Sequence, residues 1–251
     1  MSIVIGLAAY NEESSIDPLF TRIASLLKRE PGLSVIVYND GSSDNTEARV
    51  LAWQDRISLH YVVGDVNLGL GKGIAVITST FVEKFTDSDL LLTMDCDDTH
   101  DPGQVLAMIE QVSGADVVIA SRYQKGSQIH GLSMLRRTAS RVFSILAAVY
   151  LRVPRVRDYT SGFRLYRHDV LSRVHRRTSG TMVVQRGFAC MPELLVHCAA
   201  VGASFDEVPL ELHYGRRTSA SKMKFVNNTM MLLRLLPKWK HELRASTSSP
   251  D

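Results

Sequence analysis

The chain has 251 residues, of which 45% are hydrophobic and 22% charged, as is ordinary for a globular protein with a sizeable buried core. Its formal net charge of +3 hides an uneven distribution, because residues 1–121 hold 7 Lys+Arg and 18 Asp+Glu whereas residues 122–251 hold 22 and 8. The three cysteines lack the spacing and even number of a disulfide framework or a structural zinc site. Charge alone leaves nucleic acid, anionic lipid and phosphorylated small molecules open as partners of the basic half.

The amino-terminal segment predicts a buried strand and no export signal. Residues 3–9 lack the basic start and the long apolar stretch of a signal peptide. The sequence contains no run of 18 consecutive apolar residues, so we predict no membrane span. We therefore expect a cytoplasmic protein, and a peripheral contact with the cytoplasmic face of a membrane stays open.

Short apolar runs alternate with helical patterns through the first 121 residues. The runs have the length of strands that are covered on both faces. We predict strands at 3–9, 35–38, 59–63, 90–94 and 117–120, and helices at 18–28, 46–53, 73–85 and 102–112. This alternation predicts an α/β fold with a Rossmann-like, mostly parallel sheet flanked by helices.

The pattern changes after residue 121. The predicted elements there are helices at 135–151 and 191–201 and strand-like segments at 159–166 and 205–213. No linker rich in Pro, Gly or Ser interrupts them, so one continuous α/β domain is the simpler interpretation. The last predicted helix, 224–236, has an apolar stripe with basic residues at its edges. A membrane interface and packing against the domain or a partner chain both stay open for that stripe.

An acidic cluster, MDCDDTHDP, directly follows the predicted strand at 90–94. The carboxyl end of such a strand opens into the crevice where ligands bind in open α/β sheets. Asp95 and Asp97 offer hard oxygen ligands for a divalent cation bound to a diphosphate, and a solvated Asp-rich turn is the structural alternative. We expect His100 to hydrogen-bond the loop backbone and Asp101 to cap the following helix.

Two further strand ends predict a nucleotide pocket. The first strand ends in AAYNEE and the second in NDGSSDNT. If these strands are neighbours, Tyr10, Glu12 and Asp40 bring together a ring for stacking and carboxylates for hydrogen bonds to a base or ribose. The run NLGLGKGIA opens a helix with three glycines around Lys72, which favours anion binding, although its spacing fits neither a P-loop nor GxGxxG.

Six motifs occur in order along the chain: AAYNEE, NDGSSDNT, NLGLGKGIA, MDCDDTHDP, ASRY and TSGFRLYR. Over about residues 1–225 this set resembles family 2 glycosyltransferases of the dolichol-phosphate mannose synthase type. The resemblance implies a GT-A fold and an inverting transfer of mannose or a related hexose from a GDP- or UDP-sugar to a polyprenyl or dolichyl phosphate, with Mg²⁺ or Mn²⁺ as cofactor. It also implies a GT-A domain at 1–225, followed at 226–251 by an amphipathic helix and a polar tail.

The same resemblance implies roles for individual positions. It matches Tyr10, Glu12 and Asp40 to the nucleotide pocket, Asp95 and Asp97 to the diphosphate and metal, Arg122, Arg136, Ser140 and Arg216 to the acceptor phosphate, and Ser221 and Lys222 to the pair that closes the catalytic region. The candidate catalytic residues are Asp97, Arg122, Arg136, Arg216 and Lys222. A lipid phosphate is already an anionic nucleophile, so it needs positioning and charge screening more than a general base. The arginines after residue 121 suit such an acceptor.

Two positions depart from the family pattern. Asn39 stands where paired aspartates are usual, and its amide offers donors as well as an acceptor, so the donor nucleotide stays open. Thr99 stands where a glutamine is common, so the metal coordination stays open as well.

Other functions also stay open. A glycosyltransferase that acts on a soluble small molecule would need a base, for which Asp158 and Glu193 are candidates. A nucleotidyltransferase would join a similar pocket to an acidic metal loop, although a glycine-rich triphosphate signature near residue 10 is missing. A non-catalytic nucleotide-sugar binding module would account for Asn39 and Thr99. We expect no nucleic acid partner, since no binding motif for one occurs, and a homo-oligomer stays open.

Overall fold

The computed structural model describes residues 2–131, 134–216 and 225–247 and confirms the predicted α/β fold. The strands are β1 (Ile3–Ala9), β2 (Ser34–Asn39), β3 (Ser58–Val63), β4 (Leu90–Asp95), β5 (Val117–Ser121), β6 (Gln128–His130), β7 (Arg164–Arg167), β8 (Phe205–Pro209) and β9 (Glu211–His213). The α-helices are α1 (Glu13–Leu27), α2 (Thr46–Leu51), α3 (Leu70–Lys84), α4 (Val105–Val112), α5 (Met134–Leu151), α6 (His168–Arg177), α7 (Cys190–Ala200) and α8 (Phe225–Thr247). A 3-10 turn at Pro102–Gln104 precedes α4, and another at Tyr214–Arg216 follows β9.

The central sheet has seven strands in the order β3-β2-β1-β4-β7-β5-β8, and β6 and β9 form a separate parallel pair. Strands β3, β2, β1 and β4 run parallel to one another, and so do β5 and β8. Strand β7 lies antiparallel between β4 and β5. The mostly parallel sheet was predicted from the sequence, whereas the antiparallel insertion was not.

The five predicted strands of the first 121 residues are confirmed, and the helices between them differ at their ends. Helix α1 begins at Glu13, five residues before the predicted start at Pro18. The amides of Ser15 and Ile16 bond to the Glu12 carbonyl at 2.9 and 3.2 Å, so the first turn forms well before the proline. Helix α3 begins at Leu70, three residues earlier than predicted.

The second half of the chain contains elements that the sequence pattern did not predict. Helix α6 is one of them, and its ten residues are mostly polar, although His168, Val170, Leu171 and Val174 are buried. The strand-like segment at 159–166 forms a strand from Arg164 onward. The segment predicted at 205–213 divides into β8 and β9 at Leu210, whose amide bonds back to the Ser121 carbonyl.

Two apolar layers cover the sheet. Because side chains alternate along a strand, Val4 of β1 faces one layer while Ile5 and Leu7 face the other. Helices α1, α2 and α4 pack on the side of Ile5, and α3, α5, α6, α7 and α8 pack on the side of Val4. Carboxyl ends of parallel strands therefore open at one edge of a rigid, doubly covered sheet.

Helix α8 packs against α5 and α7 through Leu232, Leu236 and Trp239, all of which are buried. It runs through Pro237 to Thr247, eleven residues beyond the predicted end. The sequence left two interpretations of its apolar stripe open, a membrane interface and packing against the domain or a partner chain. For the described side chains of α8, the structure shows packing against the domain. The division into a domain at 1–225 and an appended helix stays a prediction. Within the described residues, none of the helices combines the length and hydropathy needed to cross a bilayer.

Candidate active site

The carboxyl ends of four parallel strands meet at one edge of the sheet. Ala8 of β1 pairs with Asp95 of β4, and Ala9 pairs with Asn39 of β2. The amide of Asp40 donates to the carbonyl of Ala9 at 2.8 Å. The motifs that follow β1, β2 and β4 are therefore neighbours, as the sequence analysis required for a shared pocket.

The turns after β1 and β2 bind each other through side chains and backbone. The amide of Asn11 donates to Ser42 Oγ at 3.0 Å, and Asn11 Oδ1 accepts from the Ser43 amide at 2.8 Å. The amide of Glu12 donates to Thr46 Oγ1 at 2.8 Å. Asn11 has a φ of 51°, a conformation that Asn tolerates better than most residues. These bonds bring Tyr10 and the buried Glu12 to the second strand end.

Asp40 connects the second strand to the start of α3. Asp40 is buried, and its two carboxylate oxygens accept from the amides of Leu68 at 2.9 Å and Gly69 at 2.7 Å. Lys72 lies exposed in the first turn of α3. The Asn39 side chain is also occupied, since its amide donates to the Tyr61 hydroxyl at 2.8 Å.

The glycines at the start of α3 allow a second loop to approach closely. A Cβ atom on Gly71 would lie 1.7 Å from the Gln185 carbonyl oxygen, and one on Gly69 would lie 2.6 Å from that of Arg186. The Gly71 amide donates to the Arg186 carbonyl at 2.8 Å. We call residues 182–187 the α3-contact loop. The glycine motif thus has a packing reason in addition to the predicted anion binding.

The acidic cluster forms a loop whose carboxylates are directed differently. Asp97 Oδ1 accepts from the Thr99 hydroxyl at 2.7 Å and from its amide at 3.2 Å. Asp98, at a φ of 63°, forms an ion pair with Arg22 of α1. Asp101 accepts from the Gly103 amide at 2.9 Å, which confirms the predicted cap. The pairing with Arg22 turns Asp98 away from the role of a third metal ligand.

His100 is buried between the acidic loop and the sheet. Its Nδ1 lies 3.4 Å from the amide of Asp95, and its ring packs on Phe163 at 5.0 Å between centroids. Burial lowers its pKa to about 4, against the opposing charge of Asp97. The neutral ring accepts a backbone hydrogen bond, and this confirms the predicted structural role.

The carboxylates at this edge of the sheet fit a cation that is held jointly by the protein and by a bound diphosphate. Among the described residues, no group of three or more His, Cys, Asp and Glu side chains is arranged to hold a metal ion alone. Asp95 ends β4 and Asp97 follows two residues later. Mg²⁺ is commonly held by one or two carboxylates together with substrate phosphates and water. These two carboxylates therefore suit a cation bridged by a diphosphate.

Arg122 anchors a polar cluster next to β5. Its guanidinium donates through Nε and Nη2 to Asp158 at 2.8 and 2.6 Å, and through Nη2 to Thr160 Oγ1 at 2.6 Å. Ser140 of α5 lies 3.2 Å from both Thr160 Oγ1 and the Tyr123 hydroxyl. Burial lowers the pKa of Arg122, but Asp158 and, more weakly, Asp95 raise it above its ordinary value. Arg122 and Ser140 therefore share one cluster within the electrostatic reach of Asp95.

Arg216 lies near the acidic loop. It follows β9, which is joined to the loop by a hydrogen bond from the His213 amide to the Thr99 carbonyl at 2.9 Å. Burial and the charge of Arg216 lower the pKa of Arg22, so the two arginines are close. Arg216 Nη1 is buried without a hydrogen-bond partner in the described part of the chain. Ser221, Lys222 and the side chain of Arg136 lie outside the described residues.

The two candidate bases are buried and bound. Asp158 is fully buried and accepts from Arg122 and from the amide of Ser161 at 3.0 Å. Burial would raise its pKa, but the charge and hydrogen bonds of Arg122 hold it below its ordinary value. Glu193 is buried and accepts from the amides of Val184 and Gln185 at 3.0 and 2.9 Å. Both carboxylates serve to hold loops in this structure.

A family model described as Glycosyl transferase family 2 matches residues 4–174, about two thirds of the chain. The chain therefore belongs to glycosyl transferase family 2. This match covers every strand that brings the acidic loop and the nucleotide motifs together. The family assignment confirms the predicted glycosyltransferase and the resemblance on which the site residues were chosen.

Two curated relatives and one solved structure extend the family 2 assignment. A dolichol-phosphate mannosyltransferase of Pyrococcus furiosus is 25% identical over 97% of this chain, which spans 66% of that protein. An undecaprenyl-phosphate mannosyltransferase of Micrococcus luteus is 28% identical, covering 89% of this chain and 88% of that one. The glucosyl-3-phosphoglycerate synthase of Mycobacterium tuberculosis, solved with Mn²⁺, UDP and glucosyl-3-phosphoglycerate, has a TM-score of 0.64 at 19% identity, covering all of this chain and 81% of that one. The structural likeness confirms the predicted GT-A fold.

Several residues that shape the site of this family 2 enzyme were not predicted from the sequence. Arg22, Thr160 and Glu207 are the most important. Arg22 pairs with Asp98, and Thr160 accepts from Arg122. Glu207 accepts from the amides of Arg157 and Asp158 at 2.7 Å each. These three residues are 38 to 76 positions away from the groups they hold, so no local pattern connects them. The catalytic and binding roles of the predicted site residues stay predictions.

Proposed function

We propose that this family 2 enzyme transfers a hexose, with mannose as the first candidate, from a nucleotide-diphosphate sugar to a polyprenyl phosphate. The observation that carries this proposal is the state of Asp158 and Glu193. A neutral hydroxyl acceptor needs a base, and both candidates are buried and already bound to arginine or backbone amides. An acceptor that arrives as a phosphate anion does not need either of them.

The placement of the arginines supports an anionic acceptor. Arg122 lies within the electrostatic reach of Asp95. Arg216 lies close to Arg22, which pairs with Asp98 of the same acidic loop. Arg216 has a buried Nη1 without a partner among the described residues, and a phosphate oxygen is a good acceptor for such a group. The relatives from Pyrococcus and Micrococcus are mannosyltransferases for dolichol phosphate and undecaprenyl phosphate, which supports the same acceptor class for this protein.

The donor side follows from the strand ends. Tyr10, Glu12 and Asp40 would line the nucleotide pocket, with Lys72 near the phosphates. Asp95 and Asp97 would hold Mg²⁺ or Mn²⁺, which supplies charge screening for the diphosphate of the donor and of the leaving nucleotide. The protein's own part is then to orient the donor on the sheet edge and to direct the acceptor phosphate with Arg122 and Arg216.

Two matched acceptors test the proposal: a short-chain prenyl phosphate and the prenyl alcohol of the same length. Transfer is measured with GDP-mannose, UDP-glucose and UDP-galactose, with and without Mn²⁺. We expect metal-dependent transfer to the phosphate and none to the alcohol. Arg216→Ala should raise KM for the prenyl phosphate by about tenfold or more, since a hydrogen bond between charged groups is lost, with a smaller change in KM for the donor.

Three results would contradict the proposal. Equal use of prenyl alcohol or of soluble hydroxyl acceptors would indicate the small-molecule glycosyltransferase. Release of pyrophosphate from a nucleoside triphosphate would indicate a nucleotidyltransferase. Calorimetric binding of GDP or UDP without any transfer to the prenyl phosphate would indicate a binding module.

A further inference from the structure

The two edges of the seven-stranded sheet differ in how they are protected. Strand β8, at one edge, contains two carboxylates and Pro209. Its Glu207 side chain also accepts from the amides of Arg157 and Asp158 at 2.7 Å each, so the segment before β7 covers this strand. Strand β3, at the other edge, has the sequence SLHYVV without any Lys, Arg, Asp, Glu or Pro. Charges, proline and covering segments keep an edge strand from pairing with another chain, and β3 contains none of these charges and no proline.

The backbone groups on the outer side of β3 belong to Leu59, Tyr61 and Val63. The amide of Gly64 donates to the Asn39 carbonyl of β2 at 2.9 Å, and successive residues of a strand direct their backbone groups to opposite sides. The amides and carbonyls of the three residues are therefore directed away from β2. In the part of the chain that the structure describes, no other segment bonds to them. They remain available to a further strand.

We propose that β3 pairs with β3 of a second copy of this chain, antiparallel and across a two-fold axis. A two-fold axis perpendicular to the sheet places one residue of the strand opposite itself. With Tyr61 at the axis, Leu59 lies opposite Val63 of the partner subunit, so the outward backbone groups of all three residues are paired. The cross-strand pairs are then aromatic with aromatic and aliphatic with aliphatic, which stabilises an antiparallel sheet.

The charges beside β3 favour a second copy over an unrelated strand. Arg56 lies two residues before β3 and Asp65 lies two residues after it, and both are exposed. An antiparallel pair brings the Arg56 end of each copy to the Asp65 end of the other, so these two charges are complementary across the axis. A pair of six-residue strands buries less than the roughly 1,200–2,000 Å² of a standard interface, so we expect a weak dimer with a Kd of about 1–100 µM.

Pairing at β3 also supports the donor side, and this step depends on the proposed function. The Tyr61 hydroxyl accepts from the Asn39 side chain at 2.8 Å, and Asn39 directly precedes Asp40. The loop after β3 leads to Leu68 and Gly69, whose amides hold the Asp40 carboxylate. A strand that is fixed at the two-fold axis therefore fixes both contacts at this end of the predicted nucleotide pocket.

Engineered cysteines test the pairing and its register. The three native cysteines are buried, so a mild oxidant should act on the introduced thiols. Tyr61→Cys should form a disulfide-linked dimer, because the Cα atoms of opposite residues lie about 5.5 Å apart, within the reach of a disulfide. A mixture of Leu59→Cys and Val63→Cys proteins should crosslink as well, and this pair keeps the contact between Tyr61 and Asn39. Either protein alone should not crosslink, since like positions lie about 14 Å apart along the strands.

Sedimentation equilibrium measures the dimer without cysteines. Val63→Lys should weaken dimerisation by about tenfold or more, because Lys on an edge strand opposes pairing. Val142→Lys is the matched control, since Val142 is 51% exposed on α5 and Val63 is 55% exposed, and it should dimerise as the wild type does. Arg56→Glu and Asp65→Arg should each weaken the dimer by about threefold, and the double variant should restore it.

Three results would overturn the proposal. The first is a wild-type protein that stays monomeric at about 500 µM, well above the expected Kd. The second is a dimer that Val63→Lys leaves intact or that Val142→Lys weakens equally, because the interface would then lie elsewhere. The third is crosslinking of Leu59→Cys with itself, which excludes a register with Tyr61 at the axis.

Calorimetry with GDP and UDP separates the dimer from the proposed function. Nucleotide affinity should rise about fivefold when wild-type protein is concentrated from below to above the Kd of the dimer, and Val63→Lys should show no rise over the same range. If neither nucleotide binds, the proposed function is wrong, and crosslinking still decides the dimer. If a nucleotide binds with an affinity that is independent of concentration while Tyr61→Cys crosslinks, the dimer stands and its link to the donor side is wrong.

Discussion

The amino-terminal half of the described chain, residues 2–121, and the carboxy-terminal half, residues 122–131, 134–216 and 225–247, hold their candidate site residues in different ways. In the first half, carboxylates at strand ends accept from hydroxyls and amides of adjacent loops, as Asp40 does from Gly69 and Asp97 from Thr99. In the second half, Arg122 is held by the fully buried Asp158. Local loop geometry therefore sets the first group, and a long-range ion pair sets the second.

This difference predicts different consequences of mutation. A carboxylate held by loop amides can lose its charge while the loop keeps its shape, so its removal affects ligand binding first. A buried ion pair that loses one partner leaves an uncompensated charge in the core, so its removal affects folding first.

Asp97→Ala should lower kcat/KM for transfer by at least about 10²-fold, because a ligand for the cation that screens the diphosphate is lost. The free energy of unfolding should change little by comparison. Steady-state kinetics with a Mn²⁺ titration and calorimetry with GDP and UDP measure the two effects. Full activity in this variant would remove Asp97 from the metal site.

Asp98→Asn is the matched control for Asp97, since the neighbouring carboxylate pairs with Arg22. It should keep the metal dependence of transfer and lower the free energy of unfolding by about 1–3 kcal/mol. If instead Asp98→Asn raised the Mn²⁺ requirement as strongly as Asp97→Ala, both carboxylates would belong to the metal site.

Asp158→Asn should lower the free energy of unfolding by about 3–5 kcal/mol, because Arg122 would keep a buried charge without its partner. The pKa of Asp158 is lowered in the folded protein. The stability that its carboxylate contributes is therefore fully present above the ordinary pKa of 3.8 and is lost as the pH falls through the lowered pKa. Thermal unfolding at neutral pH measures the effect, with a fall in Tm of roughly 10 °C.

The control for Asp158 is Asp206→Asn, whose carboxylate lies 3.6 Å from the exposed Arg155. An exposed pair of this kind contributes about 0–1 kcal/mol. Similar losses of stability in both variants would show that burial does not distinguish the two pairs, and the contrast between the halves would fail.

The same contrast explains how much the sequence could predict. Strands β1 to β5 are apolar runs covered on both faces, so the position of Asp40, Asp95 and Asp97 at or after strand ends was predicted from the pattern. The pattern left open whether β1 and β2 are neighbours, and the structure pairs them. Strand β7 could not be placed, because its antiparallel position depends on pairing with β4 and β5 rather than on its own sequence. Its buried Arg164 also departs from the apolar pattern of a core strand. The structure explains this burial, because the guanidinium donates to the carbonyls of Met191 and Tyr159.

The glycine motif shows a further limit of sequence patterns. Glycines around Lys72 favour an anion site, and the same residues leave room for the carbonyls of Gln185 and Arg186. A residue more than 110 positions away cannot be read from the motif. Helix α6 escaped prediction for a related reason, since its polar sequence hides a narrow buried face.

Gly71→Ala tests the contact between the two halves at α3. The added Cβ would overlap the Gln185 carbonyl, so the α3-contact loop must move, at a cost of about 1–3 kcal/mol. We expect KM for the nucleotide sugar to rise by about tenfold together with a lower Tm, because Lys72 is adjacent. Kinetics and thermal unfolding check both.

Gly187→Ala lies in the same loop, and no atom is within 4 Å of its added Cβ. This variant should change KM for the nucleotide sugar by less than about twofold and Tm by less than about 2 °C. Equal effects of the two alanines would show that loop flexibility, rather than the close approach to α3, controls the donor side.

The smallest expected effect concerns the support of the α3-contact loop from α7 and α8. His197 Nδ1 lies 2.9 Å from the Met182 carbonyl, and its Nε2 lies 3.0 Å from Glu242 Oε1. Burial lowers the pKa of His197, but the hydrogen bond and charge of Glu242 raise it above 6.5, and His197 holds the pKa of Glu242 below 4.5 against burial. His197→Gln should lower the free energy of unfolding by about 1–2 kcal/mol near pH 6.

The pH dependence has a defined sign. Because the pKa of His197 is raised, the stability that it contributes is fully present below pH 6.5 and is lost as the pH rises through the raised pKa. Because the pKa of Glu242 is lowered, the stability that it contributes is fully present above pH 4.5 and is lost as the pH falls through the lowered pKa. The stability difference between wild type and His197→Gln should therefore be largest between pH 4.5 and 6.5 and shrink toward pH 9. Denaturant unfolding of both single variants and the double variant His197→Gln/Glu242→Gln measures the coupling. A difference that stays constant from pH 5 to 9 would mean that His197 supports the loop as a neutral ring, so this long-range contact would act without an ion pair, as the loop contacts of the amino-terminal half do.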